Sequence, residues 1–235
     1  MSATAKSVLD QFYGALQNRS VRRREVDWAS LRTEVHALAG TAQDPEELNP
    51  AILRALTVMN DRHSRYVSRR GTLLRYRPVT CTAPNRTVPA LPADVGYVHV
   101  NYFGGTAVQS AAFATQLQDS IRAQDRDGLA GWIIDLRGNT GGSMWPMVAG
   151  IGPLLADSLF GYFIDPDNSR EPLVYRNGSS LLNGSVLATA QRPYVVRNRA
   201  ARVAVLTEQL TASSGEAVAI AFQARPNTRT LGSAS

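Results

Sequence analysis

Ser213 is the residue in this sequence whose position best suits nucleophilic chemistry. It follows an apolar run, residues 203–206, that predicts a buried strand, and it precedes a small-residue run, 217–222, that predicts a helix. At such a junction backbone N–H groups are free and the helix dipole favours negative charge, so a serine could attack a carbonyl and have the oxyanion stabilised. Ser213 and Glu216 also have the spacing of a capping box, which only satisfies the first amides of a helix. From this stretch alone both interpretations stay open.

A glycine-rich turn is the second candidate element. It occupies residues 137–142, reads Arg-Gly-Asn-Thr-Gly-Gly, and directly follows an apolar strand pattern at 132–136. Glycines let the backbone approach a ligand closely and point N–H groups into one pocket. The turn lacks the Gly-Lys-Ser/Thr ending of a phosphate-binding loop and the G-x-G-x-x-G spacing of a dinucleotide site. It fits an oxyanion hole that faces a neighbouring strand end, with Gly141 or Gly142 as donor, and it equally fits a tight turn that simply needs glycine.

A serine nucleophile needs a general base, and the sequence offers few. Lys6 is the only lysine, so no Ser-Lys pair is available within residues 94–235. Of the three histidines, His63 has the most polar, loop-like surroundings, whereas His36 falls beside an apolar helix face and His99 lies on the polar face of a strand pattern. Imidazole is the natural base for a serine because its pKa lies near neutrality. His63 is therefore the candidate base.

The elements that must position these residues alternate from residue 94 onward. Strands are predicted at residues 95–102, 132–136, 161–164, 173–175, 203–206 and 228–231. Helices are predicted at 106–124, 144–155 and 217–222. Strands that alternate with helices in this way predict an α/β core with a mainly parallel sheet over residues 94–235. The segment 177–191, rich in Gly, Ser and Asn, is predicted to be a surface excursion.

The first part of the chain has a different character. Three stretches have helical periodicity: residues 4–19, the stretch that follows a candidate cap at Asp27, and residues 46–60. They predict a small helical subdomain over residues 1–65. Its predicted buried positions include Leu38 and Leu53. Residues 66–93 have weak periodicity and scattered prolines, which predicts a linker or a pair of edge strands.

Composition excludes several classes of protein. With 235 residues, 44% hydrophobic and 19% charged, the chain has the profile of an ordinary globular protein. The net charge of +6 comes from arginines, but no nucleic-acid recognition motif accompanies them, so we expect no nucleic-acid partner. The sequence contains no run of about 18 apolar residues, so it predicts no membrane span. The N-terminus lacks the apolar core of a signal peptide, which predicts a cytoplasmic protein as given, and a secreted or periplasmic one if a leader is removed first.

Cofactor and redox chemistry find no support in the sequence. No set of residues has the spacing of metal ligands, so we predict neither a metal nor another cofactor. Cys81 is the only cysteine, and its loop-like surroundings favour a structural or incidental thiol.

Together these elements resemble one family. Three segments are similar to the tail-specific, or C-terminal processing, serine peptidases. They are Gly-Tyr-Val-His-Val-Asn-Tyr-Phe at 96–103, Asp-Leu-Arg-Gly-Asn-Thr-Gly-Gly at 135–142 and Thr-Ala-Ser-Ser-Gly-Glu at 211–216. That family includes the tricorn core protease and the repeats of interphotoreceptor retinoid-binding protein. The resemblance covers roughly residues 94–235 and implies a ClpP/crotonase-like α/β core.

The resemblance also implies roles for individual residues. Ser213 would be the nucleophile, and the amide of Ser214 with that of Gly141 or Gly142 would form the oxyanion hole. The tricorn-like branch uses a histidine in a short element before the core, and Asp-Arg-His-Ser at 61–64 is similar to that element, which implies His63 as base. Ser64 and Glu216 would support the site, and the substrate would be a polypeptide.

Two departures from the family pattern bear on these expectations. No PDZ insertion fits between His63 and Asp94, and family members continue past residue 235 through another strand and the remaining catalytic acid. That acid is therefore expected beyond residue 235 or from another chain, and a homo-oligomer is compatible with this. The alternative function is a catalytically inactive binding module of the same fold, which would hold a peptide or a lipid- or retinoid-like ligand.

Overall fold

A computed structural model of the chain describes residues 1–61, 63–76 and 90–233. The chain forms two compact units, one made of Met1–Thr80 with Asp165–Ser169 and the other of Cys81–Ile164 with Arg170–Ser235. Cys81, whose thiol was predicted to be structural or incidental, lies outside the described residues. No helix in the described ranges combines the length and the apolar character needed to cross a membrane.

The first unit is mainly helical, as the sequence predicts. Its helices are α1 (Ala3–Arg19), α2 (Trp28–Ala39) and α3 (Asn49–Met59). Asp27 caps α2, because its carboxylate accepts hydrogen bonds from the N–H groups of Ala29 and Ser30, both at 3.1 Å. A short 3-10 turn, Pro45–Leu48, leads into α3, so the predicted third helix begins later than its periodicity suggests.

The core of this unit corrects two predicted buried positions. Leu38 is 47% exposed and Leu53 is 42% exposed. In α2 the buried positions are Leu31, Val35 and Ala39, which follow one another at intervals of four residues and therefore share one face, so Leu38 falls at its edge. Ile52 takes the buried position beside Leu53 in the same way.

Two short strands follow α3. β1 (Arg65–Val67) and β2 (Leu73–Arg75) pair antiparallel, with Val67 opposite Leu73. His63 lies in the bend between α3 and β1.

The second unit contains the parallel sheet. Its strands are β3 (Val95–His99), β4 (Gly131–Asp135), β9 (Arg202–Thr207) and β10 (Thr228–Gly232), in the order β10-β9-β4-β3. The helices are α4 (Ala107–Gln124), α5 (Met144–Leu155) and α6 (Ser214–Ala221). All neighbouring strands of this sheet are parallel, so the predicted α/β core is confirmed. β3 ends at His99, three residues earlier than predicted.

Strand register places the two candidate turns side by side. Asp135 at the end of β4 lies opposite His99 of β3 and opposite Leu206 of β9. The carboxyl ends of these strands therefore meet at one edge of the sheet, which is where α/β proteins commonly bind ligands. The glycine turn follows β4 and the Ser213 turn follows the adjacent strand β9, so both lie at this edge.

A second, antiparallel sheet replaces the predicted surface excursion. Its strands are β5 (Ser158–Ile164), β6 (Arg170–Arg176), β7 (Ser179–Leu182) and β8 (Ser185–Thr189), paired in that order. The turns that join β6 to β7 and β7 to β8 are Asn177-Gly178 and Asn183-Gly184, and all four residues have positive φ. Asn-Gly is the preferred two-residue hairpin turn, so the composition that suggested a loop in fact specifies two hairpins. The prediction for 177–191 was wrong.

Candidate active site

Ser213 occupies a strained backbone position at the start of α6. Its φ is +54° and its ψ is −116°, a conformation that residues other than glycine adopt only at an energetic cost. The Ser213 N–H donates to Oε2 of Glu216 at 2.6 Å, so Glu216 holds this turn through the capping-box interaction that the spacing indicates. Capping and the presentation of the serine at a helix N-terminus therefore occur together.

The glycine turn packs directly against the serine turn. A Cβ placed on Gly141 would lie 2.8 Å from Cβ of Ser213 and 3.1 Å from the carbonyl oxygen of Ala212, and φ of Gly141 is +109°. Only glycine allows this close approach. The contact joins the two loops that the sequence selected separately.

The backbone amides around Ser213 differ in whether they are already bonded. The Gly141 N–H donates to Oδ1 of Asn139 at 3.0 Å. Within residues 1–61, 63–76 and 90–233, the N–H groups of Gly142 and Ser214 donate to no protein acceptor. The Ser214 hydroxyl donates to the carbonyl oxygen of Gly142 at 2.6 Å and so ties the two peptides together. The free donors beside Ser213 are therefore those of Gly142 and Ser214.

Asn139 organises this arrangement, although sequence reasoning gave it no role. Its side chain is fully buried; Nδ2 donates to the carbonyl oxygens of Val100 at 3.0 Å and Asn101 at 3.3 Å, and Oδ1 accepts from Gly141. Its own carbonyl oxygen accepts the Ala212 N–H at 3.0 Å. One buried amide thus connects the end of β3, the glycine turn and the serine turn. A polar residue between glycines after a buried strand was the available signal.

Thr211 makes the second connection between the turns. It is fully buried, and its hydroxyl donates to the carbonyl oxygen of Leu136 at 3.0 Å while accepting the Glu208 N–H at 3.0 Å. The residues that precede Ser213 are therefore anchored to the end of β4.

A buried carboxylate supports the start of the glycine turn. Asp135 is 1% exposed and accepts from the Arg137 guanidinium at 2.7 and 2.9 Å and from the Tyr97 hydroxyl at 2.7 Å. Burial by itself raises the pKa of Asp135, but the hydrogen bonds from Arg137 and Tyr97 outweigh it and lower the pKa to about 2. Burial and the bond to Asp135 raise the pKa of Tyr97 to about 12. The Nε2 atom of His99 lies 3.3 Å from the Arg137 carbonyl oxygen, so this histidine also has a local partner.

His63 and Ser64 lie in the first unit, beside Asp61. The His63 N–H donates to Oδ1 of Asp61 at 2.9 Å, and the Ser64 hydroxyl donates to Oδ2 at 2.5 Å. The His63 side chain is 73% exposed. The structure brings Ser213 and Ser214 together with the glycine turn inside the second unit, while the pairing of His63 with Ser213 stays a prediction.

The family assignment follows from comparison with known proteins. The model of peptidase family S41 matches residues 94–235, the stretch that contains both turns. The chain belongs to peptidase family S41. The predicted resemblance to the C-terminal processing peptidases is therefore confirmed.

The chain is also similar to individual proteins. The chain is 28% identical over 214 residues to the nisin-resistance protein of Lactococcus lactis subsp. lactis, covering 89% of this chain and 63% of that protein. It is similar in fold to a lipoprotein from Streptococcus agalactiae, with a TM-score of 0.70 at 16% identity, covering 98% of this chain and 76% of the other. The photosystem II D1 C-terminal processing protease matches with a TM-score of 0.54 at 15% identity, covering 98% and 81%. The chain thus spans about 63% of the length of its curated relative.

The S41 region also contains an open cavity beside α6. It has a volume of about 360 Å³, and its lining includes Glu216, Ile220 and Leu231. Ile220 and Leu231 are 53% and 52% exposed, so the cavity offers apolar surface close to the serine turn. Across the described parts of this S41 chain, no three His, Cys, Asp or Glu side chains are grouped so that they could hold a metal ion.

Proposed function

We propose that this S41 chain is a serine-type peptidase with Ser213 as nucleophile and His63 as general base. Family membership supports a peptidase-type function in general. The observation that carries the more specific proposal is the strained Ser213 at a helix N-terminus, in a turn that packs against the glycine turn; Ser214 and Gly142 each have an N–H without an acceptor among the described residues. Strained backbone positions persist where the surrounding structure holds them in place, and they concentrate at active sites.

The first chemical step is attack on a peptide carbonyl. Nε2 of His63 removes the hydroxyl proton of Ser213, and Oγ forms a bond to the carbonyl carbon. The negative charge that develops on the carbonyl oxygen is stabilised by the N–H groups of Gly142 and Ser214, assisted by the α6 dipole. Gly141 shapes the turn and does not donate to the oxyanion, because its N–H already donates to Asn139.

The acyl-enzyme then forms and hydrolyses. The C–N bond breaks as the imidazolium of His63 gives its proton to the leaving amine, which departs with the C-terminal part of the substrate. Water attacks the ester on Ser213, again with His63 as base, and the carboxylic acid product leaves with the serine hydroxyl restored. Glu216 keeps the turn in place through its bond to the Ser213 N–H.

The substrates are polypeptides, and the cavity beside α6 is a candidate pocket for a substrate side chain. The nisin-resistance protein is a relative, so nisin is the first compound to test for cleavage. Because a structural neighbour is a lipoprotein, we also propose an extracytoplasmic location. Self-association can be measured by analytical ultracentrifugation of the purified chain.

The proposal is tested with a fluorophosphonate probe, which reacts covalently with activated serines. We expect the wild-type chain to be labelled, Ser213→Ala to be unlabelled, and His63→Ala to react at least about 100-fold more slowly, in line with the usual contribution of a general base. His36→Ala is the matched control and should react like wild type. Labelling that survives in Ser213→Ala would overturn the nucleophile assignment. A folded wild-type chain without labelling would favour the inactive binding module.

A further inference from the structure

We propose that Asp61 is the acid that positions His63, by holding the Nδ1 side of the ring. The inference rests on the proposed function in one respect, namely that His63 is the base. It assigns to a described residue a task that the family resemblance led us to expect beyond residue 235 or on another chain.

Distances within the first unit support this assignment. Oδ1 of Asp61 lies 3.7 Å from Nδ1 of His63. A shift of about 1 Å would bring the two atoms within hydrogen-bond distance, and catalytic hydrogen bonds are often long before substrate binds. With Nδ1 facing the carboxylate, Nε2 is left to accept a proton.

Two hydrogen bonds hold the Asp61 carboxylate in place independently of the His63 ring. Oδ1 accepts the His63 N–H at 2.9 Å and Oδ2 accepts the Ser64 hydroxyl at 2.5 Å, so each carboxylate oxygen has a donor two or three residues further along the chain. The side chain is 17% exposed. Ser64, which the family resemblance suggested as a supporting residue, therefore acts on Asp61.

Asp61 is also ionised at neutral pH. Its burial raises the pKa, but the hydrogen bonds from Ser64 and from the His63 N–H outweigh this and keep the pKa below its ordinary value. A negative charge at Nδ1 favours the tautomer with hydrogen on Nδ1, and it stabilises the imidazolium that forms when Nε2 takes the serine proton. Asp61 is thus a positioning residue, since it acts through His63.

The ring ¹⁵N chemical shifts of His63 test the inference directly, because they report which nitrogen carries the proton. The chain has three histidines, so the His63 signals can be assigned with His63→Ala. We expect the Nδ1–H tautomer of His63 to predominate in the wild-type chain and to lose population in Asp61→Asn, which keeps the size of the side chain and removes its charge. Asp27→Asn is the matched control, because asparagine caps a helix as well as aspartate does. Identical His63 shifts in wild type and Asp61→Asn would overturn the inference.

Labelling by the fluorophosphonate probe is the second readout. In nearly aqueous surroundings, the attraction between the Asp61 carboxylate and the His63 imidazolium at this distance corresponds to roughly a fivefold change in rate. Asp61→Asn should therefore react with the probe at least about five times more slowly, and Asp27→Asn should stay within about twofold of wild type. The two readouts separate the two proposals. An Asp61-dependent tautomer without labelling supports the positioning role and contradicts the peptidase. Normal labelling of Asp61→Asn overturns the positioning role and leaves the peptidase in place.

Discussion

Replacing Gly142 by alanine should destabilise the second unit severely, because the new methyl group has nowhere to go. Its Cβ would lie 1.9 Å from the carbonyl oxygen of Phe103 and 2.7 Å from the carbonyl carbon. The same carbonyl oxygen accepts the Ser143 N–H at 2.8 Å, and the Phe103 N–H donates to Gly141 at 3.3 Å. The segment around Phe103, which follows β3, must therefore move away from the turn.

The expected magnitude can be separated into backbone and steric parts. Gly142 has φ of +93°, and an alanine there costs about 1–2 kcal/mol, partly offset by a less flexible unfolded chain. Loss of two hydrogen bonds adds about 1 kcal/mol each, and displaced packing adds another 1–2 kcal/mol. We expect the free energy of unfolding to fall by about 4 kcal/mol.

Gly128→Ala supplies the matched control. Gly128 has a similar φ of +82°, but a Cβ there would meet nothing within 4 Å, so only the backbone cost of about 1 kcal/mol applies. Urea unfolding followed by the fluorescence of Trp132 and Trp145, the two tryptophans of the second unit, measures both variants in a Trp28→Phe background that removes the tryptophan of the first unit. Equal losses of stability in the two variants would refute the steric argument. Gly142→Ala should also slow probe labelling about 100-fold or more, because it displaces the N–H that we propose as an oxyanion donor.

Three further predictions concern stability. The pKa of Asp135 is lowered from 3.8 to about 2, so its ionised carboxylate stabilises the fold fully above about pH 4, and this stabilisation is lost as the pH falls toward 2. The loss amounts to about 2 kcal/mol in the free energy of urea unfolding. Asp135→Asn should lack this part of the pH dependence. Arg225 is 9% exposed, and its guanidinium donates to four backbone carbonyl oxygens. Arg225→Met should therefore lower the free energy of unfolding by about 3 kcal/mol or more in the same assay, whereas Arg229→Met, at an exposed position, should lower it by less than about 0.5 kcal/mol. Comparable losses in the two variants would contradict the role of Arg225. Because φ of Ser213 is positive, Ser213→Gly should be about 1 kcal/mol more stable to thermal and urea unfolding than Ser213→Ala, and the opposite order would show that the turn is not strained.

Some errors in the sequence-based fold have a simple physical origin. The hairpins of 177–191 were missed because their strands are only four and five residues long and do not alternate regularly between apolar and polar residues, while the Asn-Gly turns resembled a loop. Leu38 and Leu53 were assigned to the core because apolar character alone does not decide which of two adjacent helix positions faces inward. Packing against neighbouring elements decides that.

The sequence by itself determined the α/β order, the helical first unit and the two turns that carry Ser213 and the glycines. These features are local, since a strand-to-helix junction with glycines or a serine can be read from a dozen consecutive residues. Parallel strands then bring their carboxyl ends to one edge, so the meeting of the two turns also follows from the pattern.

Only the tertiary structure decided which amides remain free beside Ser213. The sequence does not distinguish Gly141 from Gly142 as an oxyanion donor. In the structure, the buried side chain of Asn139 accepts the N–H of Gly141 and donates to the carbonyl oxygens of Val100 and Asn101, which are far away in sequence. The positive φ of Ser213 likewise arises because Glu216, Thr211 and Gly141 hold the turn from three sides. Such contacts are non-local, and their geometry exists only once the strands have paired and the two turns are packed together.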